Sequence, residues 1–296
     1  AAPRRDQEPH VDPITAERLI AACAEDGIDA GITIRTDLEP LGGPNAKVKP
    51  AVYAGGVFQQ GRRWWGEGPD RSVVDVITID NEPSQANRLE AALERLRPEL
   101  GLPELVLDLT SLEPMPPHVP RRLSSFRFPH RNADAYLRDA MLGDEDFLKS
   151  DIGLAIFTAT VDNADALMTW FPQALLFGFW QSHLGKKGSQ AKAARSWISE
   201  IIGIDPASDE VRTLGLKGDP LNLSVPGKVL YDENQHANWS LTDKGKNLSD
   251  IGHGQVPVGG DDAALAGVSF RAVVQQSTVS FASLRRVHTA NPAEAE

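Results

Sequence analysis

The sequence predicts an α+β protein built as one unit, and three observations carry that prediction. Two β-branched runs, Gly31–Leu38 and Val73, Val74, Val76, Ile77 and Ile79, have the composition of strands. Directly after the second run, Leu89, Leu93 and Leu96 recur at i, i+4 and i+7, one apolar stripe of a helix. Strand and helix patterns then alternate with long insertions, and no Pro/Ser-rich linker separates independent halves.

Taken in order, residues 1–12 are polar and charged and are expected to be a disordered leader, followed by one domain over 13–288 and a disordered tail over 289–296. Ile14 to Ala24 predicts a short helix capped by Thr15, and Gly31 to Leu38 the first strand. Residues 39–71 are rich in glycine and proline and predict an irregular or hairpin insertion. Within it, Trp64 and Trp65 with Lys47, Lys49, Arg62 and Arg63 suit either stacking on a single strand or packing of a loop onto the core. After the helix that starts at Ser84, Leu105 to Leu109 predicts a second strand. A proline-rich segment, 110–132, predicts an extended loop within a second insertion over 110–150. Ile152 to Ala159 reads as a strand and Asn163 to Phe171 as a helix stopped by Pro172. Gln190 to Ile202 reads as a helix with Ala194, Ile198 and Ile201 on its apolar side and Gly203 at its end. Residues 205–262 form a third, loop-rich insertion, and Val268 to Phe281 should include a final strand. There is no internal repeat.

Composition narrows the class. The chain has 296 residues, 41% hydrophobic and 24% charged, enough to bury a substantial core. Its apolar runs are too short to cross a bilayer, and no apolar stretch near residue 1 reads as a secretory signal. The single cysteine, Cys23, excludes an internal disulfide, fits a reducing cytoplasm, and sits in an apolar stretch where it reads as a small hydrophobe. The net charge of −11 runs against nucleic-acid binding, but it is unevenly spread. Residues 121–138 hold Arg121, Arg122, Arg127, Arg131 and Arg138 against Asp134 alone. Residues 183–199 hold Lys186, Lys187, Lys192 and Arg195 with no acid. Basic stripes on an acidic body suit either an RNA-binding groove or ordinary solvated surface.

The sharpest local signal is Pro83-Ser84-Gln85-Ala86-Asn87-Arg88. With Ser84 as the N-cap, Gln85, Asn87 and Arg88 would stand beside unpaired N–H groups at a positive helix end, a site for a phosphate. A second candidate is Ser182 to Lys192, where glycines flank Lys186 and Lys187 and Ser189 would cap the next helix. Lys246 and His253 in a Gly-rich stretch either touch RNA or merely belong to turns. No G-x-x-x-x-G-K-[ST] loop, no G-x-S-x-G elbow and no H-x-x-x-H pair occurs. Asp75 and Asp80 flank a strand and Asp261-Asp262 follow two glycines, positions that strand ends and turns explain as well as a metal does.

Five blocks in order give the chain a resemblance to one family. They are Asn81 to Glu90, Phe128 to Asp139, Leu175 to His183, Ser249 to Gly254, and Ser283 to Val287. Over residues 15–288 the chain resembles the backbone subunit of type I-G (formerly I-U) CRISPR effector complexes, within the RAMP superfamily. The resemblance implies an RRM- or ferredoxin-like βαββαβ palm with finger, thumb and web insertions. In that superfamily a similar Ser-Gln pair at the first helix holds the guide-RNA backbone. It implies RNA contacts from Ser84, Gln85, Asn87, Arg88, His130, Arg131, His183, Lys186, Lys187, Lys192, Arg195, Lys246 and His253. The expected partners are CRISPR RNA, target DNA, further copies of the chain along the RNA, the repeat-end and large subunits, and a helicase-nuclease after target binding. No catalytic residue, metal or cofactor is expected. Two other readings remain: a metal-dependent RNA-cleaving RAMP protein, and a stand-alone single-strand RNA-binding module.

Overall fold

The computed structural model describes residues 14–182, 191–207, 215–217, 228–231, 234–235, 237–242, 244–247, 256–258 and 265–290. Helix α1 (Ala16–Cys23) starts at Thr15, whose Oγ1 accepts from the Arg18 N–H at 3.3 Å. Strand β1 (Gly31–Leu38) follows as expected. The first insertion is more regular than its glycines suggest. It holds the small hairpin of β2 (Val52–Tyr53) and β3 (Val57–Phe58), and then β4 (Gln60–Trp65). β4 pairs antiparallel with β5 (Ser72–Asp80), from Gln60↔Ile77 to Trp65↔Ser72. Helix α2 (Glu82–Leu100) ends at Gly101, whose φ of 65° is the left-handed turn that glycine adopts without strain.

The strand predicted over Leu105 to Leu109 is β6 (Val106–Asp108), which forms a hairpin with β7 (Arg122–Ser124) outside the main sheet. Next come α3 (Ala135–Arg138), the hairpin of β8 (Met141–Leu142) and β9 (Glu145–Asp146), and α4 (Asp151–Thr158). The run predicted as a strand is therefore helical. Ser150 Oγ accepts from the Gly153 N–H at 3.1 Å, and Gly153, Ile156 and Phe157 form the buried side while Leu154 faces out. A short apolar run does not distinguish strand from helix by periodicity; the cap decides. Pro172 does not merely stop α5 (Asp165–Trp170); it opens α6 (Pro172–Phe177), where its missing N–H costs nothing.

Residues 190–202 correct the sequence reading most. They give no helix among the described residues but β11 (Ala191–Ala193), paired with β10 (Phe179–Gln181), and the start of β12 (Trp197–Pro206). Ile198, Ile201, Ile202 and Ile204 are β-branched, and a strand inside a sheet loses the alternation that would reveal it. The third insertion contributes β13 (Gly215–Lys217), β14 (Lys228–Tyr231), β15 (Trp239–Thr242), β16 (Lys246–Asn247) and β17 (Val256–Val258). β18 (Phe270–Ser280) is the expected final strand and runs into α7 (Phe281–Leu284).

The main sheet is antiparallel with the order β1-β18-β12-β5-β4. The Ser280 N–H donates to the Ser196 carbonyl at 2.7 Å, and the Ala207 N–H to that of Ser269 at 2.9 Å, which fixes the β12–β18 register. Strands β4, β5, β12 and β18 stand in chain order, with β1 beyond β18. In the expected βαββαβ palm another strand separates the two that the first helix joins. Here the crossover from β5 through α2 returns to β12, its neighbour, so the strand order differs from that expectation.

The described residues fall into two compact units. The first draws on Ala1–Thr36, Asp80–Ile201 and Gln275–Glu296. Its core joins Ile156, Leu167, Phe171 and Ala174, all fully buried, to Phe128, Phe147 and Phe157. The Phe147 and Phe157 rings meet edge-on with centroids 6.4 Å apart. Burying each such side chain contributes about 1.5–3 kcal/mol. The second unit, Asp37–Ile79 with Ile202–Val274, centres on Val74, Val76, Ile202, Ile204 and Val274. Trp65 packs on that core, whereas Trp64 is exposed with the Arg71 guanidinium 5.1 Å from its ring centre. Among the described residues no helix is long and apolar enough to cross a membrane. Cys23 ends α1 half-buried; burial pushes its thiol pKa up, against the lowering pull of Arg285.

Candidate nucleic-acid interface

The N-cap of α2 is Asn81, not Ser84. Pro83 has no N–H and fits the first turn, so the cap has to precede it. Asn81 Oδ1 accepts from the Ser84 N–H at 3.1 Å, and the Asn81 carbonyl from the Gln85 N–H at 2.9 Å. Of the backbone donors expected to face a phosphate, the Gln85 N–H is therefore engaged by Asn81, and the later ones fall inside a helix that already starts at Glu82.

Side chains replace them as the organising feature. Asp80, the last residue of β5, accepts from the Gln85 amide, from Arg88 Nε at 2.8 Å and from the Ser84 side chain. Burial alone would raise the Asp80 pKa; these hydrogen bonds and the Arg88 charge outweigh it and hold the carboxyl below its ordinary value. Gln85 is only 6% exposed. Its Oε1 accepts from Ser199 Oγ of β12 at 3.1 Å and from Gln275 Nε2 of β18 at 2.8 Å, and Ser277 Oγ donates to Ser199 Oγ at 2.8 Å. The structure thus joins Ser84, Gln85 and Arg88 around one carboxylate. Gln85 points into the protein, while Asn87 and Arg88 face solvent.

The basic stripe of residues 121–138 is neutralised by acids from elsewhere in the chain. Arg121 pairs with Glu113 at 3.1 Å, Arg127 with Glu94 at 2.9 Å and Arg138 with Asp139 at 2.7 Å. Arg122 stands opposite Asp108 in the β6–β7 register. Arg131 is the most committed. Its guanidinium grips Glu90 with two 2.8 Å bonds, donates to the Gly178 carbonyl at 3.0 Å and lies 5.5 Å from the Phe177 ring centre. His130 is exposed, and its backbone N–H donates to the buried Asp134.

The second stripe is different where it is described. Lys192 and Arg195 are exposed, with no carboxylate partner among the described residues. His183, Lys186, Lys187 and Ser189 lie outside the described residues, as do His253, Asp261 and Asp262. Lys246 is exposed in β16 and makes an interaction of its own. Lys192 is the cross-strand partner of Trp180, and both line a groove of about 720 Å³ with Leu175, Phe179, Ser283 and Arg286. Residue patterns single out neither Trp180 nor Arg286; for Trp180 the helical spacing of residues 190–202 hides the hairpin partner strand, and the alternation Phe179-Trp180-Gln181 is the available signal.

Among the described residues no group of three or more His, Cys, Asp or Glu side chains is placed to hold a metal. Asp75 faces Arg62 at 3.4 Å instead. A search of curated proteins gives no match to the chain. The model of one family, described as CRISPR-associated protein GSU0053, matches residues 32–207, from β1 to the end of β12. That stretch exceeds half of the sequence and contains the Asp80 cluster, the Arg131–Glu90 pair and the β10–β11 hairpin, so the chain belongs to the CRISPR-associated GSU0053 family.

Proposed function

We propose that this protein is a non-enzymatic backbone subunit of a CRISPR effector complex of subtype I-G, several copies of which assemble along guide RNA and present it for pairing with target DNA. The observation that carries the reading is the family match, which supports a role in CRISPR antiviral defence. The distribution of charge supports the same reading. Most arginines of residues 121–138 are held in ion pairs, while Lys192 and Arg195 of the first unit are exposed with no carboxylate partner among the described residues, and Arg88, though paired with Asp80, stays 71% exposed. Phosphate contacts of this kind set register without reading sequence, which a subunit serving any guide requires. Discrimination then rests with base pairing. The proposal does not depend on the βαββαβ strand order.

The test is purification of the protein from cells that carry a CRISPR array. Co-purified RNA of heterogeneous sequence sharing one repeat-derived tag, with protein stoichiometry rising with RNA length, is the expected result. A monomer carrying no RNA would overturn it. Incubation with magnesium or manganese should leave guide and complementary RNA intact. Cleavage at regular intervals would instead favour a metal-dependent RNA-cleaving protein, and Asp261 and Asp262 would be the first residues to replace.

A further inference from the structure

We propose that the groove beside the β10–β11 hairpin is a base-stacking subsite, which holds one unpaired base of a single-stranded nucleic acid on Trp180 and the adjoining phosphates on Lys192 and Arg286. It rests on the RNA-binding reading above and gives it a second kind of contact. Trp180 is 65% exposed, an unusual position for an indole in a hairpin whose other aromatic, Phe179, is buried. Trp180 and Lys192 are direct cross-strand partners, so their side chains leave the same face with Cβ atoms about 4.5–5.5 Å apart. Arg286, just after α7, lines the same groove and is exposed.

Charge selects the occupant. None of the described residues lining the groove is acidic, and neither Lys192 nor Arg286 has a carboxylate partner among the described residues. Most arginines of residues 121–138 do have one, so the groove differs from that stripe in offering two cations whose charge no acid among the described residues offsets. An exposed indole with flanking cations fits a ligand that carries both a π-face and negative charge, which every nucleotide does and an acidic peptide does only where it holds an aromatic residue. The volume, about 720 Å³, lies within the range of small-molecule sites, roughly 300–1,000 Å³. Stacking accepts every base, so the contact would serve any guide sequence. It requires an unpaired base, so the subsite takes a single strand and not a duplex.

The experiment uses the full chain and three probes of one mixed sequence: single-stranded RNA, the same strand as DNA, and duplex RNA. Trp180→Ala should weaken binding of both single strands roughly 5- to 150-fold, and Trp180→Phe should restore most of it. Lys192→Ala with Arg286→Ala should lower the salt slope on single strands by about 0.7 per cation lost. Should Trp180→Ala not fold, a single-stranded RNA carrying 4-thiouridine and crosslinked to the wild-type protein should label the peptide that contains Trp180. Wild-type affinity in Trp180→Ala with an unchanged slope in the double variant overturns the proposal while leaving the RNA-binding reading intact. Equal losses on duplex and single strand overturn it too. A wild-type chain that binds no single-stranded nucleic acid overturns both.

Discussion

Arg131 and Glu90 meet side-on: Nε and Nη2 of the guanidinium donate to the two carboxylate oxygens, each at 2.8 Å, and both side chains are largely buried. The pair ties α2 to the turn before α3. Arg131 itself sits at a φ of 53°, a left-handed conformation that a non-glycine residue adopts only where its surroundings impose it.

Replacing Arg131 with Ala leaves Glu90 charged, buried and unpaired, and should cost about 3–5 kcal/mol of stability. Lys at 131 should recover little, because an ammonium cannot make the paired contact or sit flat against Phe177. Urea unfolding of the two variants measures both effects. A stable Arg131→Ala protein with impaired RNA binding would instead make Arg131 a ligand residue.

The same pair explains what was legible in the sequence. β1, β5 and β18 carry their signal locally, in β-branched runs bounded by polar turns, and each was readable. α2 was readable as a helix, but its buried residues are Gln85, Ala86 and Glu90, while Leu96 of the expected apolar stripe is exposed. Those polar groups are buried because distant partners satisfy them: Arg131 for Glu90, and Ser199 with Gln275 for Gln85. A window along the chain sees the arginines of residues 121–138 as surplus charge; only the fold brings Glu90, Glu94 and Glu113 to them. The Ser84–Arg88 cluster was visible as a cluster, yet which side chain turns inward is decided by Asp80 and by β12, a strand whose isoleucines also fit a helical spacing.

Gly153 in α4 offers a second test. A Cβ there would collide with the Phe147 carbonyl, so helix and preceding turn approach as closely as they do only because the residue is glycine. Gly153→Ala relieves no strained φ and would ordinarily favour a helix. Here it should lower the melting temperature by several degrees through overpacking. Calorimetry showing an unchanged or raised melting point would contradict that close approach.

Asp80 makes stability depend on pH in a definite direction. Its folded pKa is lowered, so its contribution is complete above the ordinary carboxylate value of about 3.9 and disappears as pH falls through the folded value. The stability difference between wild type and Asp80→Asn should therefore be constant above about pH 5 and shrink on further acidification. A difference that grows as pH falls below 4 would mean that Asp80 is not held as the anion.

Arg88 separates binding from folding. Its side chain is 71% exposed, and an ion pair in that setting contributes at most about 0–1 kcal/mol. Asp80 also keeps its hydrogen bonds from Gln85 and Ser84 when Arg88 is truncated. Arg88→Ala should accordingly unfold near the wild-type midpoint while the salt slope for single-stranded RNA falls by about 0.7, the share of one phosphate contact. Gln85→Ala is the control with the opposite signature. It strips a donor from Asp80 and an acceptor from Ser199 and Gln275, so stability should fall by about 1–3 kcal/mol. An Arg88→Ala protein with an unchanged slope would take Arg88 out of the interface and leave it as the outer partner of Asp80 alone.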